Sequence, residues 1–328
     1  MKKNLITLAK LPDSIISNLY LKMFSEKNSL MTFVFHGIFL NEKEKLLNYV
    51  DPQTWITIKE FEDFIKYYKK LDYKFITPDG ILNGLDKEKK YILITFDDGY
   101  YNNKHVLKIL KKYNVPCVFF ISTNNIKENK SFWWDVLYRE SKKIQLSDDK
   151  ILQKQNQLKN MKNYEIEKYL IKKFGKKIFQ PKSDIDRPFN ISELKDFCKE
   201  KYVFIGNHTN NHAILTNYSS NEIKSQILEA QKSLFELTGI TPKSISYPNG
   251  NYSDEIIKIS KQVGIKIGLT VDYRKNYLPI NRTESDLMRL GRFDLSGSKN
   301  IIKQCEMFRS NILLYPLISS YINNKRKK

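Results

Sequence analysis

The stretch YILITFDDGYYNN, Tyr91 to Asn103, carries six uncharged residues rich in β-branched and aromatic side chains and then sets two carboxylates and a glycine together. A run of that length and composition suits a strand buried on both faces of a parallel sheet. Two adjacent like charges at its end cost free energy unless something neutralises them. Asp97 and Asp98 therefore predict a strand that delivers a pair of carboxylates to a rim, where alternation sends the two side chains in different directions. One can hold a cation while the other stays beside it.

Similar apolar runs recur on either side: MTFVF (31–35), YKFIT (73–77), PCVFFIS (116–122), YVFIG (202–206), SISY (244–247) and IKIGLT (265–270). Helical patterns separate most of them. In SSNEIKSQILEAQKSLFELTG, Ser219 and Glu222 have capping-box spacing, Ile223, Ile227, Ala230, Leu234 and Leu237 share a face, and Gly239 is a stop. VLKILKKYN after Asn103 and DEIIKISKQVG after Ser253 read the same way. Strands alternating with helices predict an α/β fold, and seven or eight such units favour a barrel of parallel strands over an open sheet, with the chemistry where strands end. Between about 127 and 201 the chain is rich in Lys, Gln and Asn and has helical but no strand patterns, which predicts a helical insertion between two barrel strands. Trp133 and Trp134 open it, placed either to line a sugar site or to anchor the insertion. The implied organisation is a helical lead-in over 1–30, the barrel over 31–298, and a C-terminal helix with a basic tail over 299–328.

IGNHTNNHAIL follows another predicted strand, and its His208 and His212 are two of only four histidines in the chain. Imidazoles four residues apart on one helical turn converge on a point, the spacing of H-x-x-x-H zinc sites; the alternative is a pair of satisfied surface histidines. A divalent cation on Asp98, His208 and His212 would neutralise a carboxylate and leave positions open for water and substrate. Asp97 is then placed to take a proton from that water. Tyr247-Pro248-Asn249-Gly250 closes SISY with strong turn chemistry, and a turn at the rim can also aim N–H groups at a developing oxyanion.

TFDDGYYNN, IGNHTNNHAIL and SISYPNGNYS, in that order and each at a strand end, resemble the signature motifs of the polysaccharide deacetylases, the NodB-homology group or carbohydrate esterase family 4. VFHGI, LKKYNVPCVFFIST, ELTGITPKSISYPNG and GIKIGLTVD extend the likeness across roughly residues 31–295. The resemblance implies a distorted (β/α) barrel that hydrolyses the N-acetyl group of an amino sugar, or an O-acetyl ester, with a divalent metal: zinc first, with cobalt, nickel or manganese as alternatives. It also implies Asp97 as general base, Asp98, His208 and His212 as ligands, and Thr209 as support for the histidine loop. The Asn249 N–H would contribute to the oxyanion site, and Tyr247 and Pro248 would shape the acetyl pocket. Where many members have an arginine that holds the catalytic aspartate, this chain has Ser246. Arg292 in RLGRFDL resembles an arginine that some members place late in the barrel, which implies that it tethers Asp97. The family's late histidine, which protonates the leaving amine, has no match after residue 212. His36, ending TFVFH, is the best remaining imidazole for that role or for holding substrate; otherwise it caps the first strand. His105 reads as structural.

The formal net charge of +20 invites acidic partners, but the lysines are spread over many helix faces and form no aromatic-interleaved patch, so nucleic acid is not expected. Cys117, Cys198 and Cys305 lie far apart and suggest neither disulfides nor a cysteine metal site. MKKNLITLAKLPDSI falls short of a secretory apolar core, which predicts a cytoplasmic protein. NILLYPLISSYINNKRKK reads either as a peripheral anchor on anionic lipid at the inner face of the membrane, or as a packing helix and frayed tail. The expected substrate is an acetylated amino sugar, a nucleotide- or lipid-linked precursor of a bacterial surface glycan. The rivals are a deformylase or O-deacetylase on the same kind of substrate and a catalytically silent carbohydrate-binding barrel.

Overall fold

The computed structural model describes residues 16–52, 55–280, 284–297 and 299–310. Every run read as a strand contributes one, several of them shorter than the run. Eleven strands are described: β1 (Ser29–Phe35), β2 (Ile38–Phe39), β3 (Ile56–Thr57), β4 (Lys74–Phe75), β5 (Tyr91–Phe96), β6 (Cys117–Ile121), β7 (Val203–Asn207), β8 (Ser244–Ser246), β9 (Ile267–Leu269), β10 (Asn276–Tyr277) and β11 (Phe293–Asp294). The principal helices are α1 (Ile58–Lys70), α2 (Leu107–Tyr113), α3 (Trp133–Lys143), α4 (Asp148–Leu158), α5 (Asn163–Phe174), α6 (Ile191–Phe197), α7 (Ser220–Thr238), α8 (Asp254–Gln262) and α9 (Ile301–Arg309).

The sheet runs β1-β5-β6-β7-β8-β9 with every pair parallel. β11 pairs in parallel with β1 on the opposite flank, and β10 lies antiparallel beside the start of β1. The segment entering β11 closes the curl: Leu290 N–H donates to Gly268 O and Thr270 N–H to Leu290 O, both at 2.9 Å. β2 and β3, too short to read as strands, form a separate two-stranded ladder.

Period-two alternation divides the central strands between two apolar environments, which is why β5 and β6 are buried throughout. Phe33, Phe35, Ile92, Ile94, Phe96 and Phe119 join the cluster that includes Phe61, Phe64, Ile65 and Tyr68 of α1. Leu30, Leu93, Val118, Phe120, Leu269 and Leu290 form another. Arg292 touches Thr95, Ser246 and Thr270, from elements that β6 and β7 separate in the sheet, so its side chain crosses the inside of the curl.

α7 follows its sequence signals closely: the Ser219–Glu222 capping box is present, Gly239 ends the helix with φ 73°, and Ile223, Ile227, Ala230 and Leu234 are buried. The connection from β6 to β7 is helical throughout its regular parts, with α3 to α6 on it and no strand among its described residues. The lead-in is helical over 16–23, and α9 lies inside the C-terminal segment. The expectations for residues 1–15 and for the basic tail at 311–328 lie outside the described residues. No helix of the described residues is long and apolar enough to cross a membrane.

Gly206 on β7 pairs with Phe120 on β6, and a Cβ at Gly206 would fall 2.2 Å from the Phe120 ring. Gly206→Ala is therefore expected to cost about 1–3 kcal/mol by overpacking, read as a lower urea midpoint with the m-value unchanged.

Candidate active site

β5 ends at Phe96, so both carboxylates stand just past the strand rather than on it. The Asp97 N–H still bonds Phe35 O at 2.9 Å, whereas Asp98 turns into the left-handed region with φ 77°. That turn, more than strand alternation, separates the two side chains. A non-glycine residue held there costs on the order of 1–3 kcal/mol and persists only where its surroundings fix it, commonly at functional sites.

Asp97 is 4 % exposed and is matched by Arg292, itself 1 % exposed. Nη1 donates to Oδ1 and Nη2 to Oδ2, each at 2.9 Å, a bidentate fork. The remaining guanidinium hydrogens go to Thr270 O at 2.8 Å, Thr95 Oγ1 at 3.1 Å and Ser246 Oγ at 2.8 Å, so all five donors are used. Ser246 Oγ–H in turn donates to Asp97 Oδ2 at 2.8 Å. Burial alone would raise the Asp97 carboxyl; the Arg292 charge, with help from His208, outweighs it and holds the group well below the usual carboxylate range. Ser246 therefore takes part in holding Asp97, a role the missing arginine at that position did not suggest.

Asp98 is bound in the opposite manner. Its Oδ1 is buried and has no hydrogen-bond partner, yet it stands 3.3 Å from His208 Nε2 and 3.4 Å from His212 Nε2. Two atoms each about 2.0–2.1 Å from one tetrahedral ion lie about 3.3–3.4 Å apart, so the orphaned oxygen and both nitrogens have the spacing of a shared cation. The three residues form the one His/Cys/Asp/Glu group with ligand spacing among the described residues. His208 Nδ1–H donates to Ser246 O at 2.8 Å, which fixes the ring and aims Nε2 at the carboxylate. Burial pushes the His212 imidazole down to about 3, leaving it neutral as a ligand must be.

The two histidines do not share a helical turn, as their spacing predicted. Residues 208–214 form an irregular loop in which Thr209 and His212 have φ 63° and 48°. Asn207 Oδ1 accepts the Thr209 N–H and Thr209 Oγ1 accepts the Ala213 N–H, both at 2.8 Å, replacing helical hydrogen bonds with side-chain ones. Convergence of the imidazoles, with ring centroids 4.8 Å apart, comes from these left-handed residues.

A cavity of about 100 Å³ opens on this cluster. Asp98, His212, Ile214 and Asn249 line it, as does His36 just past β1. Trp133 and Trp134 line it too, with Trp55 and Tyr100 beside them. Asn249, with φ 56°, is the only residue of its turn that reaches the lining. Tyr247 and Pro248 do not: the Tyr247 ring is fully buried and its hydroxyl donates to Met288 O at 3.2 Å, so strand alternation turns it into the core beneath the rim. Of the three turn residues expected to serve substrate, the cavity lining includes Asn249 and not Tyr247 or Pro248. His105 lies on the 3-10 turn Tyr101–Val106 rather than in a helix and does not line the cavity.

The insertion is tied to this wall by polar groups that the sequence did not mark. Tyr100 Oη accepts Trp134 Nε1–H at 2.9 Å and donates to Asp135 Oδ2 at 2.6 Å, while Asp135 Oδ1 accepts the Asp51 N–H at 2.9 Å. The Trp134 and His212 rings are in contact, 4.5 Å between centroids. Gly37 leaves room for the Trp55 indole, since a Cβ there would fall 2.0 Å from a ring carbon.

The family model described as Polysaccharide deacetylase matches residues 84–268. The chain belongs to the polysaccharide deacetylase family. A poly-β-1,6-N-acetyl-D-glucosamine N-deacetylase of Staphylococcus epidermidis is 24 % identical over 303 residues, covering 88 % of this chain and 86 % of that protein. A Bacillus subtilis relative named for polysaccharide deacetylation, YxkH, is 23 % identical over 219 residues, and the aligned part is 58 % of its length. Among solved structures, the Streptococcus pyogenes deacetylase PplD in complex with acetate superposes with TM-score 0.59 at 15 % identity, over 86 % of this chain and 99 % of that one. IcaB from Ammonifex degensii gives TM-score 0.56 at 14 % identity, over 87 % and 99 %. The last two bear on the fold, which is that of this family of carbohydrate deacetylases; the family as a whole uses a divalent metal.

Removing the guanidinium leaves a buried, uncompensated carboxylate, so Arg292→Met is expected to cost about 3–5 kcal/mol, measured by urea unfolding of the metal-free protein. His212→Ala is expected to abolish stoichiometric zinc binding while the fold stays intact, checked by metal analysis alongside circular dichroism.

Proposed function

We propose that this chain hydrolyses the N-acetyl group of an N-acetylated amino sugar in a bacterial surface glycan. The observation that carries the reading is the contrast between adjacent carboxylates in one buried site: Asp97 held by three hydrogen bonds from Arg292 and Ser246, Asp98 Oδ1 orphaned between two imidazoles. Asp98, His208 and His212 would hold a divalent ion, zinc by their donor set, which when bound would supply Lewis-acid polarisation of the acyl carbonyl and lower the pKa of water.

The chain's own groups do the rest. A carboxylate offers about four lone-pair sites; Arg292 occupies two on Asp97 and Ser246 a third. The remaining site is on Oδ1 and is the acceptor for the proton of the attacking water. Arg292 keeps Asp97 ionised until that transfer, and Asp97 can later return the proton to the leaving amine. His36 faces the same cavity and is the second group able to hold the amine or its proton. The Asn249 N–H, from another residue of the lining, is the donor for the developing oxyanion. Acetate and the free amino sugar leave.

The relatives named for poly-β-1,6-N-acetyl-D-glucosamine make that polymer the first substrate to test. Nucleotide- and lipid-linked N-acetylhexosamines form the second arm, and a cytoplasmic site of action belongs to that arm alone. Acetate release is expected from one arm or the other, lost on chelation and restored by zinc, with cobalt, nickel and manganese as comparisons. Asp97→Asn should retain its metal and lose about 10²-fold or more in kcat, the range for removing a general base. An Asp97→Asn protein with full turnover would sink this mechanism, and release of formate from N-formyl sugars in preference to acetate would replace the acyl group.

A further inference from the structure

The helical insertion does more than pack on the barrel, because its first two helices reach the cavity that holds the metal-ligand cluster. α3 brings Trp133 and Trp134; α4 brings Gln155, and Lys159 follows at its C-terminal cap. Asp51, from the loop between β2 and β3, completes the edge. Gln155 Nε2 donates to Asp51 Oδ2 at 2.6 Å, and the Asp51 N–H is held by Asp135, so the carboxylate and the amide are set on one fixed wall, with half-buried Lys159 also in the lining. Gln155 is 2 % exposed, yet it borders the cavity. Tyr100 joins this wall to the Asp98 loop through Trp134 and Asp135.

A carboxylate, an amide and an ammonium side by side offer both acceptors and donors, the set that recognises vicinal hydroxyls. The Trp134 ring is packed by Phe132, stacked at 4.9 Å, and by His212, tilted at 4.5 Å, so the indole serves as wall and brace. Discrimination on this side of the pocket therefore falls to hydrogen bonding. A site built to hydrogen-bond a hydroxyl rejects analogues that lack it far more strongly than an apolar pocket rejects a methylene.

We propose that Asp51, Gln155 and Lys159 form a hydroxyl-recognising subsite that selects the sugar presented to the Asp98–His208–His212 cluster. The proposal rests on the deacetylase reading for its substrate class, a pyranose with free hydroxyls next to its acylamino group. α3 and α4 are on this account the specificity element of the enzyme, grafted between β6 and β7.

The test uses the full-length zinc-loaded protein and a β-1,6-linked N-acetylglucosamine tetramer. Lys159→Met and Gln155→Leu are each expected to raise KM about tenfold, the worth of one hydrogen bond to a charged or buried partner, with kcat within twofold and zinc content unchanged. In an Asp97→Asn background, calorimetry should show the same tenfold loss of tetramer affinity for Lys159→Met. A fall in kcat at constant KM, or a tetramer Kd unmoved by Lys159→Met, would overturn the subsite, and so would absence of tetramer binding by the parent Asp97→Asn protein. Binding that weakens as expected while the wild-type chain releases no acetate would support the subsite and overturn the deacetylase reading instead.

Discussion

Everything at the rim depends on the ion pair between Asp97 and Arg292. A buried carboxylate without a partner would be driven to its neutral form, and a neutral Asp97 could accept no proton. The guanidinium meets that need with all five hydrogens committed, two to Asp97 and three to Thr95, Thr270 and Ser246. Those five bonds also fix the separations of β5, β8 and the end of β9, so the same group that tunes the charge sets the diameter of the site.

The neighbouring carboxylate shows the complementary design. Asp98 has been denied hydrogen-bond partners at Oδ1, in a place where an orphan buried acceptor would be costly without a cation. Left-handed backbone at Asp98, Thr209 and His212 is what lets three side chains on two loops meet. The strain belongs to ligand placement, and side-chain bonds from Asn207 and Thr209 hold it in position.

Much of this was legible beforehand because its signals are local. Apolar runs marked the parallel strands, the Ser219–Glu222 box and Gly239 marked α7, and Asp97, Asp98, His208 and His212 stood out by spacing. Backbone detail was not legible: H-x-x-x-H spacing cannot tell a helical turn from a loop, and Tyr247 looked like pocket lining although one step of alternation sends it into the core. The wall of Asp51, Tyr100, Asp135 and Gln155 was invisible for another reason. Its members lie on three separate segments, and ordinary polar residues become meaningful only when the fold brings them together. Trp133 and Trp134 were the one hint, since two adjacent indoles in a lysine-rich helical stretch had to have a reason.

Arg292 enters the barrel on the segment that closes it, 195 residues after Asp97. During synthesis, β5 and the carboxylates after it therefore emerge long before the guanidinium that pairs with Asp97, and the histidine loop at 208–212 also precedes it. A chain whose last barrel strand has not docked holds the Asp97 carboxylate unpaired, so the charge at the rim is settled only with topological closure. The last strand to be made is in this sense the one that completes a site whose other parts were laid down long before it.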